Sequence, residues 1–507
     1  MADINIGVNL IESLTTGMYK DARTIFREYV QNSCDAIDAA GGSGKIKITI
    51  DSDTGYIRIE DDGCGIEPIN FKETLHNIAT SGKSSDENKG FRGIGRLCGL
   101  AYCDRLVFTS MAKGSVCWMT FDAAKLRDKF YKGLKLSANQ ILDEINGFNS
   151  DAINKNLHGF TVELFGVKNP ELLNVDGIIN YLSFVAPVPY SADFTFASKI
   201  HEHAVALGFK IDEYEITVND TQIFKPYRNI IASRGFRDEL FDVSFRDFYD
   251  GGSLLAWSWI GLTGFRGQIR DSIEERALRL RKGNIQIGDE TTLQKFFKEI
   301  RGTYYFVGEV FAAHKNLIPN SQRDYFIPNA TRETFEKLLW DSEENPNPHA
   351  YFKKLYEIYH AASNLNSAKK KIRDYRDALD KFPIDSSKPL ENIMRVKFKL
   401  IEAGDSAKTG WDKIQSAIAE AKKNPSDDLS RVVFHLTQNP DEITIPKRRI
   451  TPPLVRLDGI LNKIYRQVDS NTDTKKDFTA KILDAVCSGT DNETREIILA
   501  KILEALK

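Results

Sequence analysis

The chain has 507 residues, is 41% apolar and 28% charged, and carries a formal net charge of −2. Its length suits about three domains of ordinary globular composition. The near-zero charge excludes a global basic signature for nucleic acid, though not a local patch. No run approaches the roughly eighteen uncharged apolar residues of a membrane span.

The first residues, MADINIGVN, have no basic region followed by an apolar core, so no signal peptide is expected. Six cysteines (34, 64, 98, 103, 117, 487) form no C-x-x-C and fit no zinc spacing. They read as reduced thiols of a cytoplasmic protein.

Residues 1–190 read as one α/β domain. In IFREYVQNSCDAIDAA, Ile25, Phe26, Tyr29, Val30, Ala36 and Ile37 fall at helical spacing, which predicts an amphipathic helix. Asn32 follows Glu28 by four residues and Asp35 follows Asn32 by three, so the three polar side chains share a face. Such a set suits a hard cation such as Mg²⁺ and an oriented water; the other reading is a solvated helix face. Residues 45–50 and 56–60 read as strands around a turn at Asp53, Thr54 and Gly55. The second strand runs into Asp61, Asp62, Gly63, Cys64, Gly65. Glycines there let the backbone approach a ligand closely, and Asp61 is placed to accept from an exocyclic amine such as that of adenine. In NKGFRGIGRLCGLAYC, Gly90, Gly93 and Gly95 open an apolar helical run, where backbone N–H groups suit an anion. Residues 105–110 and 115–121 predict a hairpin about Lys113 and Gly114. Residues 122–157 read as an insertion, mainly helical, and 159–165 as a further strand.

The three signals together, E-x-x-x-N on a helix, D-x-G-x-G after a strand and G-x-x-G-x-G before a helix, resemble the Bergerat nucleotide pocket of the GHKL ATPases: gyrase, the ninety-kilodalton heat-shock chaperones, histidine kinases and MutL proteins. No Walker motif occurs. The resemblance implies an N-terminal Bergerat-fold α/β sandwich binding ATP and Mg²⁺. Glu28 resembles the general base, Asn32 the Mg²⁺ ligand and Asp61 the adenine-reading carboxylate. Gly90, Gly93 and Gly95 resemble the phosphate-facing end of the lid; Asp35, Gly63, Gly65 and Ile94 complete the implied pocket. NLIESLTTGMYKDARTIFREYVQNSCDAID is most similar to the heat-shock chaperone (HtpG-like) branch. So is IATSGKSS, which stands where that branch has a mobile lid, making Thr80, Ser81, Gly82 and Lys83 nucleotide-facing candidates. The strand at 159–165 resembles the last Bergerat strand, which carries a threonine near the nucleotide. Thr161 is the candidate, although Phe160 fills the place directly after the glycine.

Residues 191–340 read as a second α/β domain, with strand runs in GSLLAWSWIGLTG, ALRLRKGNIQIGD and TYYFVGEVFAAH. Its place resembles the transducer or middle domain of the family, which supplies a cation to the γ-phosphate. NLIPNSQRDYF resembles the chaperones' middle-domain loop and makes Arg323 the candidate, since a guanidinium binds phosphate oxygens in pairs. Arg281 and Lys282 compete with it, and an ion pair of Arg323 with Asp324 or another acid on a loop is the other reading. His201 and His203 would share a face on a strand and suit a metal, or lie in a surface turn before a strand at 214–218.

Residues 341–507 read as a linker and then a mainly helical region for dimerisation or partner binding, with helices at about 349–381, 388–403, 409–423 and 453–467 and at the chain end. The resemblance implies an ATPase, ATP and water giving ADP and phosphate, whose ATP-gated closure in a homodimer acts on a protein client. The alternatives are an ATP-gated nucleic-acid clamp of the MutL or MORC type, in repair or phage defence, and a nucleotide-dependent scaffold. No membrane association is expected.

Overall fold

The computed structural model describes residues 21–42, 44–76, 95–131, 146–153, 157–263, 268–297 and 299–339, with isolated helical positions between 356 and 419. The chain divides into two units, residues 1–360 with 416–439, and 361–415 with 440–507.

The first unit opens, among described residues, with the helix Thr24–Ala39. Its first sheet comprises β1 (Lys45–Asp51), β2 (Tyr56–Asp61), β3 (Arg105–Ala112), β4 (Ser115–Asp122), β5 (Asn146–Ala152), β6 (Gly159–Phe165), β7 (Glu215–Val218) and β8 (Thr221–Gln222). The strand order is β5-β4-β3-β6-β2-β1-β7-β8. Every pairing is antiparallel except β1 with β7. Alternation puts Ile46, Ile48 and Ile50 of β1 and Ile57 and Ile59 of β2 on one face. Ile25, Phe26, Tyr29, Val30 and Ile37 of the helix join them in one core. Each such side chain contributes about 1.5–3 kcal/mol when fully buried. The β3–β4 hairpin turns at Lys113 (φ 50°) and Gly114 (φ 70°), the left-handed pair that a two-residue hairpin favours.

Part of the 122–157 insertion departs from the helical expectation. The helix Ala123–Tyr131 is followed by β5 on the sheet edge. Nearly all of β5 is exposed, so NGFNSDA carries no apolar alternation from which a strand is legible.

The second sheet comprises β9 (Ile230–Ser233), β10 (Phe236–Asp250), β11 (Ser253–Thr263), β12 (Ala277–Lys282), β13 (Ile285–Ile287) and β14 (Val307–Ala312). Its order is β13-β12-β14-β11-β10-β9, with β12 and β14 parallel. The long apolar run of β11 is buried almost end to end because both its faces are covered. The chain crosses between the two sheets more than once. Tyr190, Phe194, Ile200 and Ala204 pack in the second core; Tyr214, Ile216, Val218 and Ile223 return to the first; Tyr227 joins the second.

A buried charge cluster ties these crossings to the second sheet. Glu309 on β14 accepts from Lys225 Nζ (3.0 Å), Trp259 Nε1 (3.0 Å), Tyr190 Oη and Arg281 Nε. Tyr190 also bridges Lys225 through the backbone. Burial and the Arg281 charge push the Lys225 ammonium down to about 7. The paired cations hold the Glu309 carboxyl at about 2 against the opposing effect of burial.

In the second unit the described positions, among them 402–406 and 408–413, are helical. The helices expected at 453–467 and at the chain end, and Cys487, lie outside the described residues. No helix among the described residues is long and apolar enough to cross a membrane. The Glu309 cluster yields a stability prediction. Glu309→Gln leaves the buried Arg281 guanidinium without its anion and is expected to cost about 3–5 kcal/mol in urea denaturation; a loss below about 1 kcal/mol would contradict the cluster's role.

Candidate functional site

The helix Thr24–Ala39 is buried on almost every side. Glu28 is 8% exposed and Asp35 is 6% exposed, so the solvated-face reading does not hold. Charged residues are so deeply buried only where something compensates them.

At one end stands Asp61, at the terminus of β2. The Ser33 hydroxyl, the Gly63 N–H (3.0 Å) and the Phe160 N–H donate to its carboxylate. Burial outweighs these donors and pushes its pKa up from 3.8 to about 6. The following loop is pinned to the helix: Cys64 N donates to Ala36 O at 3.0 Å, and a Cβ on Gly63 would lie 2.6 Å from the Ala36 carbonyl carbon. Gly65 has a φ of +64° and its backbone packs on the Met111 carbonyl, so this turn admits only glycine without strain. Cys64 is exposed between the two glycines.

At the other end stands Glu28. Oε1 lies 3.6 Å from Arg27 Nη2 and 3.6 Å from Arg323 Nε, and makes no hydrogen bond among the described residues. Its other oxygen packs on Gly95, where a Cβ would collide with it. Gly95 begins a 3-10 helix, Gly95–Ala101, in place of the expected α-helical run. Tyr29 Oη fastens that segment to the long helix, donating to Arg96 O and accepting from Gly99 N, both at 3.1 Å.

Arg323 arrives from a loop beyond the second sheet. Arg323 N donates to Asn320 O (3.2 Å), Gly288 N donates to Arg323 O (2.8 Å), and Pro319 bridges Phe326. Arg323 has a φ of 55°, a left-handed conformation that costs a non-glycine residue about 1–3 kcal/mol. Arg27 Nη2 donates to Gln322 O at 3.3 Å and so links helix to loop. Thus the structure brings Arg323 to Glu28. Asp324 instead meets Asn320.

The competing cations are engaged elsewhere: Arg281 with Glu309 and with Asn284 O (3.0 Å), Lys282 with His314 O (2.7 Å). Thr161 is corrected. Strand register sets Phe160 opposite Asp61 and Thr161 opposite Glu60, so Thr161 lies on the face away from Asp61. The histidine pair is corrected as well. Both lie on the helix Ala197–Ala206, where a two-residue spacing diverges. His201 Nε2 meets Glu213 at 3.0 Å; His203 Nε2 meets Asp247 at 2.8 Å and its ring stacks on Phe245 at 4.1 Å. Asn32 is half-buried on the helix one turn after Glu28. Thr80, Ser81, Gly82, Lys83, Gly90, Gly93 and Ile94 lie outside the described residues. Sequence reasoning missed Ser33, Arg27 and Gln31, the last 1% exposed with neither amide atom partnered among the described residues. Their signal was adjacency to Asn32 and Glu28.

A helix bearing a carboxylate over a mixed sheet, with a strand-end aspartate and a glycine turn beside it, is the arrangement of a GHKL ATPase domain. Residues 21–159 match the family described as histidine kinase-, DNA gyrase B-, and HSP90-like ATPase, and the chain therefore carries an N-terminal GHKL ATP-binding domain. The match selects no branch within that superfamily. No curated protein matches the chain.

Asp61 makes stability depend on pH. Folded Asp61 holds its proton more tightly than unfolded Asp61, so the charged group costs stability above about pH 6 and the cost disappears as pH falls toward 3.8. The difference amounts to at most about 3 kcal/mol. Urea denaturation between about pH 4.5 and 7.5 is expected to show wild type losing stability relative to Asp61→Asn as pH rises; parallel profiles would refute the assignment.

Proposed function

We propose that the protein is an ATPase in which Glu28 orients the attacking water and Arg323 senses and stabilises the γ-phosphate. The observation that carries this reading is the approach of Arg323, from a loop beyond the second sheet, to within 3.6 Å of Glu28 Oε1. A carboxylate beside a guanidinium delivered from elsewhere in the chain suits in-line phosphoryl transfer, where positioning and charge stabilisation do most of the work. Asp61 would accept the adenine amine, with Gly63 and Gly65 letting the base approach the backbone.

Mg²⁺ fits the donor set: Asn32 offers a hard oxygen on the helix face that carries Glu28, with phosphate and water to complete the shell. When bound, the ion supplies neutralisation of the phosphate charge. Glu28 then has one task, to take the proton of the water. Arg323 and Arg27 keep that carboxylate placed, and Asp35 lends polarity to the same helix.

For the wider activity we favour the heat-shock-chaperone-like reading, a cytoplasmic homodimer whose ATP-gated closure acts on a protein client. Its support is the likeness of residues 78–85 and of the Arg323 loop to that branch. The nucleic-acid clamp is favoured by one feature, exposed Arg234 and Arg237 at the β9–β10 turn, which Arg270 braces from below. DNA binding that falls steeply with salt and is lost on replacing both arginines would select it.

Glu28→Ala is expected to bind ATP and lose turnover by about 10²-fold or more. Arg323→Ala should keep binding and also lose turnover, while Asp61→Asn should not bind. Wild-type affinity should weaken as pH drops through about 6, when Asp61 takes up its proton. Calorimetric titration alongside a phosphate-release assay measures all four. Undiminished turnover in Glu28→Ala would overturn the reading.

A further inference from the structure

Gln31 stands in the middle of the helix Thr24–Ala39 and is 1% exposed, and neither Nε2 nor Oε1 of its amide has a hydrogen-bond partner among the described residues. A buried amide without partners opposes folding, whereas an apolar side chain of the same length fills the position without that cost. Its presence calls for a role outside packing.

Helix geometry names its neighbours. Successive residues advance by about 100° around the axis, which sets Gln31 on the face between Arg27, four residues earlier, and Glu28, three earlier. A long helical side chain leans back over the preceding turn, and that turn carries both. Arg27 and Glu28 are 7% and 8% exposed, and each has one unused group: Arg27 Nε, a donor, and Glu28 Oε1, an acceptor. Gln31 supplies the complement, a donor in Nε2 and an acceptor in Oε1. Four unused groups within about one helical turn thus divide into two donor–acceptor pairs. Asp35, the next acid along this face, has interactions of its own.

The two oxygens of Glu28 face different surroundings. Oε1 lies 3.6 Å from Arg27 Nη2 and 3.6 Å from Arg323 Nε, whereas Oε2 packs on Gly95, the last glycine of the G-x-x-G-x-G motif. In the proposed reaction Arg323 turns to the γ-phosphate, and Oε1 loses one of its two cations. Arg27 Nη2 is engaged with Gln322 O at 3.3 Å.

We propose that Gln31 is a positioning residue for Glu28 in the nucleotide-bound state: Gln31 Nε2 donates to Glu28 Oε1 as Arg323 turns to the phosphate, and Gln31 Oε1 accepts from Arg27 Nε. Glu28 Oε2 is then left to take the proton of the attacking water. The catalytic use of this pairing rests on the ATPase reading; the pairing itself rests on the four unused groups.

The test compares wild type with Gln31→Met, which keeps the length of the side chain and removes the amide, and makes the same change in a Glu28→Ala background. Melting curves are taken on the full nucleotide-free chain, affinity for a non-hydrolysable ATP analogue by calorimetry, and kcat by phosphate release. Gln31→Met should melt no lower than wild type, because it removes only unused polar groups. It should bind the analogue about tenfold more weakly and lower kcat by about tenfold or more, the worth of one hydrogen bond to a charged group. In the Glu28→Ala background it should change neither, since the two residues act as a pair. A purely structural glutamine would show itself in the nucleotide-free chain: a melting temperature lowered by more than about 3 °C overturns the proposal. So does an equal loss with and without Glu28. Analogue binding with the expected dependences but no hydrolysis by wild type would remove the ATPase reading and leave the pairing standing. Hydrolysis by wild type with affinity and kcat unchanged in Gln31→Met would do the reverse. A wild type that binds no nucleotide would remove both.

Discussion

The structure depends on one buried carboxylate. Glu28 sits on a helix with almost no solvent, and a carboxylate removed from water costs several kcal/mol unless charge compensates it. Two guanidinium groups supply that charge, one from the preceding residue and one from a loop beyond the second sheet. At 3.6 Å neither contact is a directional hydrogen bond, and Oε1 has none among the described residues. Oε1 of Glu28 is therefore held by charge and not by a directional hydrogen bond among the described residues.

That arrangement requires the second sheet to be placed accurately against the first, and the chain achieves this by crossing between them. Tyr190 and Lys225, on two of the crossing segments, are bridged to each other and bound to Glu309 on β14. The Arg323 loop is in turn fastened to the turn after β13 through Gly288. A local strain at Arg323, a left-handed non-glycine residue, is tolerated because both ends of its loop are tied.

Much of this was legible in the sequence, for identifiable reasons. The apolar periodicity of the Glu28 helix, the β1–β2 and β3–β4 hairpins and the long run of β11 are all set by local pattern, and each stands where that pattern implies. Arg323 was singled out through resemblance alone; nothing in its neighbours reports an approach to Glu28, hundreds of residues away. What stayed hidden was tertiary. Strand β5 is exposed along nearly its whole length, and its sequence carries no apolar alternation. The two histidines were misread because helix and strand cannot be told apart over so short a polar segment. Thr161 failed on a register of one residue, which in a strand reverses the face. Ser33 and Arg27 matter through what they touch, and single residues carry no signal of that.

The two ends of the site differ in physical character. Asp61 accepts the Gly63 N–H at 3.0 Å, with Ser33 and Phe160 also lowering its pKa, and the glycine turn beside it is pinned to the helix and to β3. Such a cradle is rigid, and its rigidity is maintained against the cost of a buried carboxylate with a raised pKa. Glu28, by contrast, stands 3.6 Å from the Arg27 and Arg323 guanidinium groups, with no hydrogen bond at Oε1 among the described residues. On the ATPase reading, the rigid end reads the base, whose identity does not change during turnover. The adjustable end meets the phosphates, whose charge and bonding do change. A pocket rigid at both ends would bind nucleotide without transmitting anything to the second sheet. One adjustable throughout would not discriminate the base. On that reading the less constrained end is the one that meets the phosphates, and Arg323 connects that end to the loop beyond the second sheet.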